Sequence, residues 1–488
     1  MSNTAIQIFG RFATAAVSIV VLKLISGYLG RAGYGEYTTI YEFLAFFAIA
    51  ADFGIFQIAV KEMSAHPEKR AEIFGNILAL RLILTLGAMA AAIGAAFLVP
   101  KYSGSAIPVG VAIASATTFL TILFGTLSSL LQVELKMQWN VVGLVVAKFA
   151  ALGWMLAAIF KFFPNDPESG FFQLLVAGIV GGILQVAIVF GAARRVERIR
   201  LRFDFVFWRK ILRKTLPYGA AILLATIYIR EDVILLSLMR DSEEVGIYGV
   251  AARILENLSV LSVFFLNSAL PAMARLFRDN REKLKKLLQL AFDFLILLGL
   301  PIVVGGITLA FPIIALVSDP AFLSNATTGF FGSDVALQIL LVAMLFAYLA
   351  NLFGYTLLAG GEQTKLLFVN ALAVGFNFIA NLAIIPIFGF RGAALTSVAS
   401  QIFVCVLGFI FVRRMLTISF NLRTAGKAIV AAGTMAIGMV KLQPIFFDIF
   451  GGNKSLLILI PLGGIIYGVV LILFRTITPE MRGILKRE

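Results

Sequence analysis

The sequence predicts an all-α polytopic membrane protein of about fourteen transmembrane helices, in two six-helix lobes with two further helices after them. Three observations carry that expectation. Of the 488 residues, 60% are hydrophobic and only 14% are charged, where a soluble domain has about 45–50% and about 25%. The mean hydropathy is +0.98. Apolar runs of the ~20 residues that cross a bilayer recur from end to end, and the longest strongly polar stretch is the basic segment from Arg194 to Lys214.

In chain order the expected spans are 7–29, 36–60, 73–99, 107–132, 139–163 and 171–193, then 216–239, 246–270, 288–317, 335–359, 365–388 and 391–412, and finally 425–443 and 455–474. The first run lacks a signal-peptide pattern of basic region, apolar core and small-residue cleavage site, so it is expected to be retained. Prolines mark ends or kinks at Pro217, Pro271, Pro301, Pro312, Pro386 and Pro461, because proline removes a backbone donor and crowds the preceding turn. The span 425–443 is short and carries Lys427 and Lys441.

Basic residues orient these spans. With the N-terminus inside, 28 of the 41 Lys and Arg fall in cytoplasmic loops and the C-terminal tail, and seven fall outside. Both termini are therefore expected on the cytoplasmic side of a cell membrane. Basic loops facing anionic inner-leaflet lipids account for the net charge of +15 without a nucleic-acid partner. The loop with nine basic residues, Arg194 to Lys214, divides the chain into an N-terminal lobe (1–193), a linker (194–215), a C-terminal lobe (216–412) and two additional helices with the tail (413–488). The first external turn of each half ends in Gly-x-Tyr: Gly35-Glu36-Tyr37 and Gly246-Ile247-Tyr248. Halves with an even number of spans share one topology, as in parallel-repeat transporters.

Ionisable residues inside spans are costly and mark function by default. The cations are Arg11, Lys23, Arg81, Lys148, Arg230 and Arg253; the acids are Glu42, Asp52, Glu231, Asp232, Glu256 and Asp293. At about 1.5 Å of rise per residue, Asp52 and Arg81 reach the same depth on consecutive antiparallel spans. Arg230, Glu231 and Asp232 lie roughly 20 Å in on span seven, level with Arg253 and Glu256. Some of these are expected to be static pairs, Asp52 with Arg81 and Glu231 or Asp232 with Arg253. Lys23 and Arg11 are near enough to a surface to snorkel. Glu42 and Asp293 face no evident partner. Cations on the early spans of both halves would give a central cavity a positive potential that suits a phosphate-bearing headgroup. A cavity for a cationic drug would instead present acids.

Several chemistries are excluded. There is no Gly-x-x-x-x-Gly-Lys-Ser/Thr motif for ATP. The one histidine, His66, is expected in a short loop, and the one cysteine, Cys405, in an apolar run as a small buried residue, so neither a metal cluster nor a Ser-His-Asp set is expected. No catalytic residue, metal or cofactor is anticipated, and the chain does not read as an enzyme.

The stretch Tyr28-Leu29-Gly30-Arg31-Ala32-Gly33-Tyr34-Gly35-Glu36-Tyr37, with Asp52-Phe53-Gly54 and Lys61-Glu62 after it, resembles the opening of polysaccharide flippases of the O-antigen type. These belong to the multidrug/oligosaccharidyl-lipid/polysaccharide exporter superfamily. Leu216-Pro217-Tyr218-Gly219, Asp232 and Val245 to Arg253 continue the resemblance, as do Asn381-Leu382, Pro386 to Gly389 and Gly392-Ala393-Ala394. It implies a V-shaped, two-lobed, MATE-like fold, alternating access, and a substrate made of a sugar chain on a polyprenyl phosphate or diphosphate. A glycan polymerase or glycosyltransferases are possible partners beside the membrane lipids. Arg11, Lys23, Arg81, Lys148, Arg230 and Arg253 become candidates for binding the anion; Asp52, Glu231, Asp232 and Glu256 become candidates for coupling or charge pairing. The alternatives are an H⁺- or Na⁺-coupled multidrug antiporter, a lipid II flippase, and a non-transporting scaffold for glycosyltransferases.

Overall fold

A computed structural model describes residues 2–450 and 452–476, with the side chains of residues 2–16, 217, 218, 221, 452 and 453 left aside. Among the described residues the fold is almost wholly helical, and the sole β feature is an isolated antiparallel bridge between Asn325 and Phe330. Helices satisfy every backbone group internally, which hydrocarbon demands. Among the described residues, twelve helical stretches are long and apolar enough to cross a membrane. The first of them, Val17–Ala65, takes in two of the fourteen expected spans. Large apolar side chains stand exposed along these helices, among them Phe97, Ile379, Ile387 and Leu457. Water would not tolerate that much scattered apolar surface, and lipid does.

The chain forms two compact units, residues 1–246 and 247–488. The first contains α1 (Ser2–Asp52), α2 (Ile55–Ala65), α3 (Arg70–Leu98), α4 (Ile107–Val133), α5 (Gln138–Ala157), α6 (Pro167–Arg194) and α7 (Phe205–Met239). Expected spans one and two are separate helices that meet at Gly30 within the stretch labelled α1. The break falls at the start of the glycine-rich segment that reads as a turn, where Gly30 (φ 65°, ψ −171°) leaves helical geometry, and the residues after it are already helical. The chain breaks again at Phe53 and Gly54, both at positive φ, before α2.

Asp204 caps α7 by accepting from the amides of Val206 and Phe207 at 2.9 and 3.0 Å, and Asp166 caps α6 by accepting from that of Ser169 at 3.1 Å. Such caps satisfy donors that a helix start leaves orphaned. Two apolar clusters form the core of this unit. One lies around Phe74, Ile77, Leu130 and Trp208, the other around Ile40, Leu44, Val111 and Tyr102. α7 packs against α1, α2 and α3, so the compact unit runs past the basic linker to Gly246. α7 is not among the twelve apolar stretches, and it carries basic residues at its start and Arg230, Glu231 and Asp232 in its middle.

The turn after α7 is fastened to α1 and to the α3–α4 connection. Arg31 pairs with Glu243 at 3.1 Å and Lys101 with Asp241 at 3.9 Å, and Tyr102 shares a 2.8 Å hydrogen bond with Ser237. At Gly35 and Gly246 the backbones pass so closely that an added Cβ on either would strike the other strand of chain, at Ser242 or at Arg31.

The second unit contains most of α8 (Ser242–Asp279), then α9 (Arg281–Thr308), α10 (Ala310–Val317), α11 (Ser333–Ala359), α12 (Gln363–Phe388), α13 (Phe390–Leu416), α14 (Arg423–Phe450) and α15 (Leu456–Leu473). The expected span 288–317 is thus divided between α9 and α10. Tyr348 on α11 donates to Leu258 O on α8 at 2.7 Å, and Ser333 to Ile247 O at 2.8 Å. The two last helices pack on α9 through Ala431, Met435, Leu459 and Tyr467, and Tyr467 donates to Leu297 O at 3.1 Å. Cys405 on α13 carries a free thiol and is half-buried, not buried as expected, because its helix face is only partly covered.

Candidate functional site

The intramembrane charges of the first unit gather on α1, α3 and α7. α1 supplies Glu42 and Asp52, almost three turns apart and so about 15 Å along one helix. Asp52 pairs with Arg81 of α3, as their common depth suggests. The Arg81 side chain is 4% exposed and that of Asp52 30%. Only Nη2 of Arg81 is engaged; its Nε and Nη1 are buried and have no hydrogen-bond partner. Buried donors are ordinarily satisfied, which sets this guanidinium apart from a purely structural one.

Glu42 is not isolated. Both of its carboxylate oxygens accept from Nη1 of Arg230 on α7 at 2.6 Å. The sequence offered a signal for this: Glu42 and Arg230 lie within roughly 5 Å of the same depth, counted from the external end of their spans. Beside Arg230, Glu231 and Asp232 are both buried. Neither oxygen of Glu231 has a hydrogen-bond partner, and one turn earlier the buried hydroxyl of Tyr228 has none either. An ionised carboxylate without a donor in an apolar span is costly, and a cation brought to this place supplies what it lacks. Tyr228 was not among the expected site residues, since a single tyrosine in an apolar run carries no distinguishing pattern.

The remaining candidates are dispersed. Lys23 on α1 and Lys148 on α5 are half-buried. The side chain of Arg11 lies outside the described ones. In the second unit Arg253 pairs with Glu256 three residues on, at 3.1 Å, with side chains 51% and 37% exposed. Asp293, which faced no evident partner in the sequence, accepts from Gln289 at 3.0 Å. The second unit also holds a buried polar set that composition hides. Asn377 donates to Ser400 at 3.1 Å and Asn381 to Asn377 at 2.6 Å, joining α12 to α13. Two asparagines four residues apart share a helix face, which is the signal that marks them. His66 lies in the loop before α3, 3.6 Å from Glu68.

The profile of a family described as "Polysaccharide biosynthesis protein" matches residues 1–277. No curated protein has significant sequence similarity to the chain. Among solved structures, the fold is similar to that of the lipid II flippase MurJ in an inward closed conformation, at TM-score 0.74 and 15% identity over 97% of this chain and 98% of that one. An inward-facing multidrug-resistance MATE family transporter of the MOP superfamily gives 0.65 at 16% identity over 83% and 94%. The Vibrio cholerae MATE transporter VcmN in its bent form gives 0.52 at 15% identity over 85% and 95%.

Proposed function

The chain belongs to the polysaccharide biosynthesis protein family and is a multi-pass membrane protein of the flippase and transporter class, and we propose that it moves a polyprenyl-(di)phosphate-linked oligosaccharide from the cytoplasmic to the external leaflet. It does so by alternating access, with both termini in the cytoplasm, and it serves the making of a cell-surface glycan. Arg81 carries the reading: it is a guanidinium fixed by Asp52 in an apolar span, with Nε and Nη1 unengaged.

A phosphate stripped of water is costly in hydrocarbon unless donors replace that water, and guanidinium donors match its oxygens in pairs. Arg230, held by Glu42, is a second station at a different depth. As the helices move, each carboxylate can give up part of its hold on its arginine while the anion takes its place. The prenyl chain stays in lipid, where it costs nothing to keep.

The test is export of lipid-linked glycan in cells carrying Arg81→Lys or Arg230→Lys, together with native mass spectrometry of the lipids each protein retains. The reading expects wild type to keep a polyprenyl (di)phosphate sugar and each variant to lose it, with at least tenfold less export, about 1.4 kcal/mol of lost interaction. Full export and full retention in both variants would remove the arginines from the mechanism.

Glu231 supports a second reading. Its buried, unpartnered carboxylate is the sort of group that a cation-coupled multidrug antiporter needs. Tight binding of organic cations to wild type, abolished in Glu231→Gln, with no retained glycolipid, would favour that antiporter.

A further inference from the structure

The start of α7 forms a basic groove outside the apolar part of the membrane. Val206, Arg209, Lys210, Arg213 and Lys214 line an open groove of about 420 Å³. Their spacing puts them on one face of the helix. Lys214 pairs with Glu62 at 2.6 Å, and among the described residues Arg209, Lys210 and Arg213 have no acidic partner.

This face is rigidly mounted. Trp208 is buried and donates to Asn76 O of α3 at 3.0 Å. The amide of Asp204 donates to Asn76 Oδ1 at 2.9 Å, and that of Arg202 to Gly75 O at 3.3 Å. Gly75 has no side chain because the backbone of Arg200 lies against it. The linker is therefore docked on α3, and the bases of α7 are presented in a fixed array.

Next to the bases stand apolar side chains that water would not favour: Phe203 at 59% exposure, Phe205 at 73% and Val206 at 81%. The apolar run of α7 begins at Leu216, so Lys214 and Arg213 lie about 3–5 Å from it and Lys210 and Arg209 about 9–10 Å. The headgroup layer on each side of a bilayer is roughly 5–8 Å deep. Arg213 and Lys214 stand at headgroup depth and the long side chains of Arg209 and Lys210 can reach back to it, which makes this face a membrane-surface element.

We propose that this groove binds the phosphate headgroup of an anionic glycerophospholipid from the adjoining leaflet, with Arg209, Lys210 and Arg213 on the phosphate. The site is separate from the transport charges and does not depend on the flippase reading. A bound lipid would hold the linker and α3 to the leaflet.

The experiment places the full chain in nanodiscs of equal phosphatidylglycerol and phosphatidylcholine and counts retained lipids by native mass spectrometry. Wild type should keep phosphatidylglycerol over phosphatidylcholine. The variant with Arg209→Gln, Lys210→Gln and Arg213→Gln should lose about a hundredfold in that preference, each basic residue near an anionic surface contributing roughly fivefold. Arg213→Gln alone should lose about fivefold, and it serves as the measure if the triple variant does not fold. Wild-type preference in a folded variant would overturn the proposal. So would displacement of the lipid by millimolar inorganic phosphate, which would assign the groove to a soluble anion.

Discussion

Arg230 on α7 and Glu42 on α1 are 188 residues apart in the sequence, yet Nη1 of the arginine donates to both carboxylate oxygens at 2.6 Å. The pair joins the first long helix to the seventh within the apolar layer, at side-chain exposures of 28% and 14%. Removing one member leaves the other charge buried without its main partner. Glu42→Ala and Arg230→Ala should each lower stability by about 1–3 kcal/mol. The double variant should lose less than the sum, with a coupling of roughly 0.5–3 kcal/mol. Thermal unfolding of the four proteins in one detergent measures it, and strict additivity would mean that the pair contributes nothing.

The Asp52–Arg81 pair is more deeply buried on its arginine side. Asp52→Ala should cost about 3 kcal/mol, the lower end of the range for breaking a buried pair, because its carboxylate is partly exposed. Replacing both residues, Asp52→Leu with Arg81→Met, should recover most of that loss, since no unpaired charge remains. Export should stay absent in the recovered protein. A stable double variant with normal export would make the pair structural only.

Gly35 is required where α1 meets the turn after α7. A Cβ there would lie 2.7 Å from the carbonyl carbon of Ser242 and 2.9 Å from the amide nitrogen of Gly246, closer than side chains approach backbone. Gly35→Ala should destabilise by about 1–3 kcal/mol through overpacking. Gly87→Ala on α3, where nothing lies within 4 Å, should be neutral or stabilising by up to about 1 kcal/mol. Melting temperatures of the two variants decide it; equal effects would show that the close approach at Gly35 relaxes easily.

Asp166 links stability to pH. The hydrogen bonds from Ser169 hold its carboxyl below the usual aspartate range. A depressed carboxylate contributes stability that is complete above its unfolded pKa, about 3.9, and is lost as pH falls through the lower folded value. The difference in melting temperature between wild type and Asp166→Ala should therefore be constant above about pH 5 and shrink below about pH 4. A difference that does not change with pH would assign the cap's effect to something other than the ionised carboxylate.

Helix number and class were legible because hydropathy is a local property: each apolar run needs only its own residues to declare that it prefers lipid. The Asp52–Arg81 pair was legible as well, since the two lie on consecutive antiparallel spans where depth nearly dictates contact. The turn expected from Gly30 to Tyr37 is present but is confined to Gly30, where two helices meet. Only Gly30 adopts positive φ there, and Gly35 serves close packing instead.

The sequence by itself determined that this chain crosses a membrane many times, which segments between its apolar runs are basic, and which ionisable residues fall inside those runs. Composition and order along the chain suffice for these, because the free energy of placing a residue in lipid depends on that residue and its near neighbours. The tertiary structure decided that Glu42 answers Arg230, that α7 packs with α1 to α3, that Arg81 keeps two donors unengaged and that the bases of Arg209, Lys210 and Arg213 share one fixed groove. Each of these depends on which helices are neighbours and how each is rotated about its axis, and one-dimensional depth leaves both undetermined.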